Sequence, residues 1–141
     1  MTEPLLQIDL PLAYKPNSPK NRILYSLNSF LLPLGLKNAF ATYSLLKAKN
    51  FFTRLVTKAV ADLPVIENPT NLIVVLEVYR DSNRRSDCDN KAIMAKWATD
   101  MIVQAGIIPD DDHRYITGLL IVDKGLDKEN PRVVYNIKRM K

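Results

Sequence analysis

Apolar and polar positions alternate at the start of the chain and fall into longer periods beyond it. Residues 5–10, LLQIDL, alternate well enough for a strand, and Pro11 ends it because proline has no N–H to give a ladder. Residues 11–36 hold no period. They carry Pro11, Pro16, Pro19, Pro33, Asn17, Asn21, Asn28 and Gly35, and they exceed the usual connection of about 4–6 residues, which predicts either a functional loop or disorder. Over residues 36–63 the period becomes helical. Phe40, Tyr43, Leu46, Phe51, Leu55 and Ala59 recur near every turn, while Lys47, Lys49, Arg54 and Lys58 take other positions.

Pro64, Asn68 and Pro69 close that helix, which is expected to pack on the sheet, and residues 71–79 follow with the β-branched run of a central strand. A second helix is predicted from Asn90, where Met94, Trp97, Met101 and Ala105 step by three and four until Gly106 stops it. Residues 115–122, YITGLLIV, predict a strand, residues 123–131 a polar turn, and residues 132–137, RVVYNI, a last strand forming a hairpin with the one before. The order is therefore βαβαββ. This is an α+β fold, a mixed sheet packed against helices, in one domain of 141 residues.

Composition narrows the class. The chain is 47% hydrophobic, but no apolar run approaches the roughly 20 residues of a membrane span, so no membrane partner is expected. Glu3 and Asp9 with no basic residue between them argue against a secretory signal. Cys88 is the one cysteine, which excludes an internal disulfide and a cysteine-rich zinc site and fits a reducing cytoplasm. His113 is the one histidine, too few for a histidine-based zinc site. A Walker-type phosphate loop is missing from the sequence.

The formal charge is +5, and its placement matters more than its sum. Between Leu10 and Ala61 stand Lys15, Lys20, Arg22, Lys37, Lys47, Lys49, Arg54 and Lys58, with no acid among them. A one-sign stretch of this kind attracts a polyanion such as DNA, or else is a solvated face. Tyr14, Tyr25 and Phe30 interleave with Lys15, Lys20 and Arg22; such rings either stack on exposed bases or pin the loop to the core.

The acids gather elsewhere, at Asp81, Asp87, Asp89 and Asp110 to Asp112. Carboxylates placed close together raise one another's proton affinity unless a divalent cation keeps them ionised. Oxygen donors without a histidine or cysteine pair favour Mg²⁺ or Mn²⁺. The plainer alternative is a solvated acidic turn with Asp89 as a helix cap. A helix of roughly 16 residues is about 24 Å long, so Asp87, Asp89 and Asp111 share an ion only if the turn after Gly106 folds back or a neighbouring strand returns Asp111. An antiparallel pairing of the strands flanking the helix would achieve this, whereas a parallel crossover, right-handed by rule, returns the chain to the opposite end of the sheet.

Arg84-Arg85-x-Asp87-x-Asp89-Asn90, a helix carrying Lys96 and Asp100, and the turn Ala105-Gly106-Ile107-Ile108-x-Asp110-Asp111 resemble the signature of the RusA-type Holliday junction resolvases, small endonucleases of phages and prophages. The resemblance is firm over residues 78–122 and looser beyond. It implies Mg²⁺ bound by Asp87, Asp89 and Asp111, a functional lysine at Lys96, branched DNA or a four-way junction as substrate, a homodimer, and a bacterial cytoplasmic setting. Counted from Asn90 instead of Gly106, the helix has three extra residues, about 60° less than a full turn. That difference predicts an extended or irregular helix start and leaves Lys91 as a rival to Lys96.

Phosphate contacts are expected from Lys15, Lys20, Arg22, Lys47, Arg84 and Arg85. Two alternatives stand beside the nuclease: a DNA-binding protein of this fold with little or no turnover, and a metal-stabilised interaction module. For the dimer, the edge strand and the apolar residues Phe30, Leu31, Leu32, Leu34 and Leu36 offer surface, unless that segment folds onto its own sheet.

Overall fold

The computed structural model describes residues 3–15, 22–26, 39–83 and 88–140. Phe30 and the leucines of residues 31–36 lie outside these. Strands β1 (Leu6–Leu10), β4 (Leu72–Arg80), β5 (Ile116–Leu126) and β6 (Arg132–Arg139) form a four-stranded sheet in the order β1-β6-β4-β5. Helix α1 (Ala39–Val60) and helix α2 (Ala92–Gln104) contribute Phe52, Val56, Met94, Ala98 and Ile102 to the core they share with Leu72, Leu76, Tyr135 and Ile137 of the sheet. The architecture is the α+β arrangement expected, a mixed sheet against two helices. No helix among the described residues is long and apolar enough to cross a membrane.

Strand order follows burial. In β6 five consecutive residues, Val133 to Ile137, are buried, and a strand buried on both faces is best placed in the interior of a sheet. It lies antiparallel to β1 on one side and to β4 on the other, with Leu10 opposite Val133 and Leu76 opposite Tyr135. The predicted hairpin of β5 with β6 is therefore corrected: residues 127–131 pass over the end of β4, where Asp127 N–H donates to the Arg80 carbonyl at 2.8 Å. β5 is half exposed along most of its length and takes the edge.

The β4 and β5 strands are parallel, Leu72 opposite Ile116 and Arg80 opposite Leu126, so the antiparallel arrangement expected of a shared metal site is not the one adopted. β5 also runs four residues past the predicted end at Val122. Gly125, at φ +102°, supplies the left-handed residue of a bulge there, and the Arg80 to Asp123 ion pair at 2.9 Å ties the extension to β4.

Helix α1 ends at Val60, three residues before the predicted end at Leu63, residues 36–38 lie outside the described ones, and the buried face is not the predicted one. Leu45, Ala48, Phe52, Val56 and Val60 are buried, while Leu46, Phe51, Leu55 and Ala59 are exposed. At about 100° per residue, the buried stripe lies opposite Lys47, Arg54 and Lys58, whereas Phe51 and Leu55 adjoin those cations. Burying the second stripe would drag ammonium groups out of water, so the first is buried.

The stretch predicted as irregular holds a small ribbon, β2 (Ala13–Tyr14) against β3 (Ile23–Leu24). Its anchor is Tyr25. That ring is fully buried against Phe52 at 5.0 Å, and its hydroxyl donates to the Ala48 carbonyl at 2.6 Å. Burial pushes its pKa well up. Tyr25 thus pins the loop to the core and is not available for stacking on bases.

Candidate metal and nucleic-acid site

The helix bearing the motif starts with a 3-10 turn (Cys88–Lys91), and α-geometry begins at Ala92. This is the irregular start that a three-residue surplus predicts. Lys91, at the junction, has no side-chain capping bond and is 8% exposed, turned inward. Lys96 is on the open side, its side chain 64% exposed.

At its other end α2 stops at Gly106, whose φ of +79° reverses the chain. Ile107 and Ile108 then drop into the core, and the Ile66 N–H donates to the Ile107 carbonyl at 3.0 Å, fixing the return path. The acidic turn that follows is held from within. Asp110 accepts the Asp111 N–H at 2.7 Å. Asp112 accepts the Arg114 N–H at 2.9 Å and its guanidinium at 2.7 Å, which lowers the Asp112 carboxyl to about 2. Asp112 is thereby a brace for the turn.

Asp111 points the other way, back along α2. Lys96 Nζ donates to Asp111 Oδ2 at 3.0 Å and to Asp100 Oδ1 at 3.0 Å. The contact with Asp111, followed by that with Asp100, raises the lysine pKa, and Lys96 in turn lowers that of Asp111. Lys96 precedes the end of α2 at Gln104 by eight residues, about 12 Å at 1.5 Å per residue. The turn therefore recovers about half of the separation that a straight helix would impose, although β4 and β5 are parallel.

What remains is spanned by a crevice. A cavity of about 380 Å³ between α2 and the outer strand β5 is lined by Ala92, Ala95, Lys96, Thr99, Asp111 and Ile116 to Leu119, with Val74 on its floor. Ala92 is three residues beyond Asp89, and the 3-10 turn carrying Asp89 packs on β5. Ala92 and the Asp111 carboxylate thus border one opening. A second cavity of about 370 Å³ lies between the helices, lined by Lys49, Thr53, Trp97 and Asp110 among others. Lys96 and Asp111 line both and form the wall between them.

Asp87, Arg84, Arg85, Lys20 and the side chain of Asp89 lie outside the described residues. Among the described residues no three histidine, cysteine or acidic side chains converge as a metal site. Of the predicted catalytic set, Asp111 and Lys96 are brought into contact. Of the predicted phosphate contacts, Lys47 is exposed on α1, Lys15 lies over the Tyr14 ring at 5.7 Å, and Arg22 is ion-paired with Asp81. That last pair joins the basic loop to the exit of β4, directly before the Arg84-Arg85 segment.

Two side chains escape a reading of the sequence. Thr99 Oγ1 and the Tyr135 hydroxyl are hydrogen-bonded at 2.7 Å in the core, below Asp100 and Asp111. Burial raises the Tyr135 pKa, and the two carboxylates add to the rise, so the phenol stays neutral. This bond seats α2 on β6 at the level of Lys96. A tyrosine inside an apolar strand gives no sign of it, for the partner is 36 residues away. Compared with known proteins, the chain matches no family model and no curated relative.

Proposed function

We propose that the protein is a Mg²⁺-dependent endonuclease of the RusA-like kind that cuts branched DNA. The observation that carries this reading is the contact of Lys96 with Asp111 at the mouth of a crevice that begins three residues after Asp89. The donors fit the ion in kind: Asp87, Asp89 and Asp111 offer only carboxylate oxygen, as Mg²⁺ prefers, and Mn²⁺ is a reasonable substitute. When bound, such a metal activates a water and offsets charge on the reacting phosphate.

The chain's own groups do the rest. Asp111 is held in a fixed turn by Asp110 and Asp112, so its carboxylate is oriented before substrate arrives. Lys96, free to leave Asp111 when a divalent cation takes its place, is within a side chain's reach of a phosphate in the crevice and supports it electrostatically. Lys15, Lys20, Arg22, Lys47, Arg84 and Arg85 are the contacts to the DNA backbone in this reading. A four-way junction is cut in two strands of like polarity, which one metal site cannot do in a single encounter, so two copies are required. The same reading puts the protein in the cytoplasm of a bacterial host, phage or prophage encoded.

Incubating the chain with a synthetic four-way junction, with and without Mg²⁺, tests the reading. Paired Mg²⁺-dependent incision is expected. Binding without incision favours a DNA-binding protein of this fold without turnover, and neither binding nor incision favours an interaction module.

A further inference from the structure

The cavity of about 370 Å³ between α1 and α2 has the size of a small-ligand pocket, and the function proposed above uses only the wall it shares with the crevice. Another wall is the indole of Trp97, which is half-buried and set edge-on against Phe52 at 5.6 Å and Tyr25 at 6.2 Å. Those two rings are fully buried, so they fix the plane of the indole. Lys49, which lines the cavity with Trp97, holds its Nζ over the ring at 5.2 Å. The lysine is exposed on α1, and its ammonium can leave the indole for a phosphate at the rim. Beside the cavity Thr57 of α1 meets the Met101 sulfur of α2 at 3.6 Å, which ties the helices together there.

Charge decides what such a pocket can hold. Its lining includes the carboxylates of Asp100, Asp110 and Asp111 beside the ammonium groups of Lys49 and Lys96, so a bare phosphate inside it is disfavoured. Asp100 and Asp111 are both bound to Lys96. Asp110 accepts the Asp111 N–H on one oxygen and, among the described residues, keeps the other for an incoming donor. A flat ring that carries hydrogen-bond donors meets both demands: it stacks where the ammonium stands, and its edge reaches a carboxylate.

We propose that this cavity takes one unpaired base of the DNA, guanine before the others, stacked on Trp97 with its edge on Asp110 and its phosphate on Lys49. Guanine carries two adjacent donors, N1–H and N2–H, on its Watson–Crick edge, which suits a carboxylate. Adenine and cytosine set a ring acceptor beside their amine, and thymine sets its one N–H between two carbonyls, so each turns lone pairs toward the acid. Lys96 and Asp111 separate the cavity from the crevice. The phosphate next to the bound base therefore comes to the place where the nuclease reading puts the reacting one, and the pocket chooses where a strand is cut. The inference rests on that reading for the identity of the polymer, but its test needs neither Mg²⁺ nor incision.

Trp97 is the one tryptophan of the chain, so its fluorescence reports on the pocket itself. Titration in EDTA with the trinucleotides dTdGdT, dTdAdT, dTdCdT and dTdTdT gives four affinities from the midpoints of quenching. The first is expected to bind at least about five-fold more tightly than the last, as one well-paired base edge allows. Asp110→Asn keeps an oxygen for the Asp111 N–H but turns an amide toward the base. It should bring the preference below about two-fold and bind dTdTdT equally or more tightly, since a repelling charge is gone. Lys49→Gln should weaken all four by about three-fold or more through its lost phosphate contact, whereas Lys58→Gln, exposed further along α1, should not. Absent quenching, four equal affinities, a preference that Asp110→Asn leaves intact, or equal losses in Lys49→Gln and Lys58→Gln would each overturn the proposal. Should a variant fail to fold by circular dichroism, the four affinities of the unmodified chain decide alone. Junction incision is scored separately: a guanine preference without incision keeps the pocket and removes the nuclease, and incision with four equal affinities does the reverse.

Discussion

Replacing Lys96 with methionine removes the charge that joins Asp111 to Asp100 while keeping most of the side-chain length. At 3.0 Å, the attraction of unit charges in water is about 1.4 kcal/mol. Lys96 is 64% exposed and gives up side-chain freedom to hold the pair, which reduces the net coupling to about 0.5–1 kcal/mol. For a chain of this size that is a change in melting temperature of about 2–3 °C.

The pH window follows from the two shifts. Asp111 has a lowered pKa, so its share is present above the ordinary 3.8 and disappears as pH falls below that value. Lys96 has a raised pKa, so its share is present below the ordinary 10.5 and is lost as pH rises beyond it. A double-mutant cycle of Lys96→Met with Asp111→Asn, followed by thermal denaturation, should give this coupling in full at pH 7 and progressively less as pH falls below 3.8. On the proposed reading a divalent cation competes with Lys96 for Asp111, so Lys96→Met should also bind Mg²⁺ about two- to five-fold more tightly by calorimetry, the same 0.5–1 kcal/mol seen from the metal's side, while cleaving far more slowly. A coupling that does not diminish as pH falls below 3.8, or Mg²⁺ affinity that falls in Lys96→Met, would refute the reasoning.

Other outcomes follow from the proposed function and from the described packing. Asp87→Asn, Asp89→Asn and Asp111→Asn should each abolish Mg²⁺-dependent cleavage and leave junction binding equal or tighter, measured as cleavage rate beside gel-shift affinity, because each removes repulsion of the DNA backbone together with a proposed metal ligand. Asp112→Asn, which weakens a brace of the turn, should cost less activity than any of these. Lys96→Ala should lower cleavage far more than Lys91→Ala, whereas Lys91→Ala, at a buried position, should lower the melting temperature more; a single experiment on both variants ranks them. Tyr135→Phe removes a buried 2.7 Å hydrogen bond and strands the Thr99 hydroxyl, so chemical denaturation should show a loss of about 1–2 kcal/mol.

Much of this was legible in the chain because the signals were local. The helical character of α1 follows from its period, and the stop of α2 from Gly106. What the sequence concealed was relational. Two apolar stripes ran along α1, and only their placement relative to Lys47, Arg54 and Lys58 separates the buried one from the exposed one. The end of β5 was hidden because Asp123 and Lys124 look like a turn until Arg80 and Glu77, some 43 and 47 positions earlier in the chain, are seen to hold them. Strand order was not legible at all, since β6 finds its neighbours from residues 6–10 and 72–80, and nothing in RVVYNI names them. Of the candidate site, Lys96 and Asp111 were identified by motif, but their contact required the reversal at Gly106, and the seat beneath them required Tyr135 from the far end of the chain.

The reversal at Gly106 makes the lysine and its aspartate a unit measured from one fixed point. Residues gained or lost before Lys96 change neither its distance from Gly106 nor its direction from the helix, and the 3-10 turn at Cys88–Lys91 is a place where such changes in length can be taken up. A residue inserted between Lys96 and Gly106 has no such outlet. It would turn Lys96 by about 100° around α2 and part it from Asp111. Natural or engineered length variation in this protein should therefore be tolerated on one side of Lys96 and forbidden on the other.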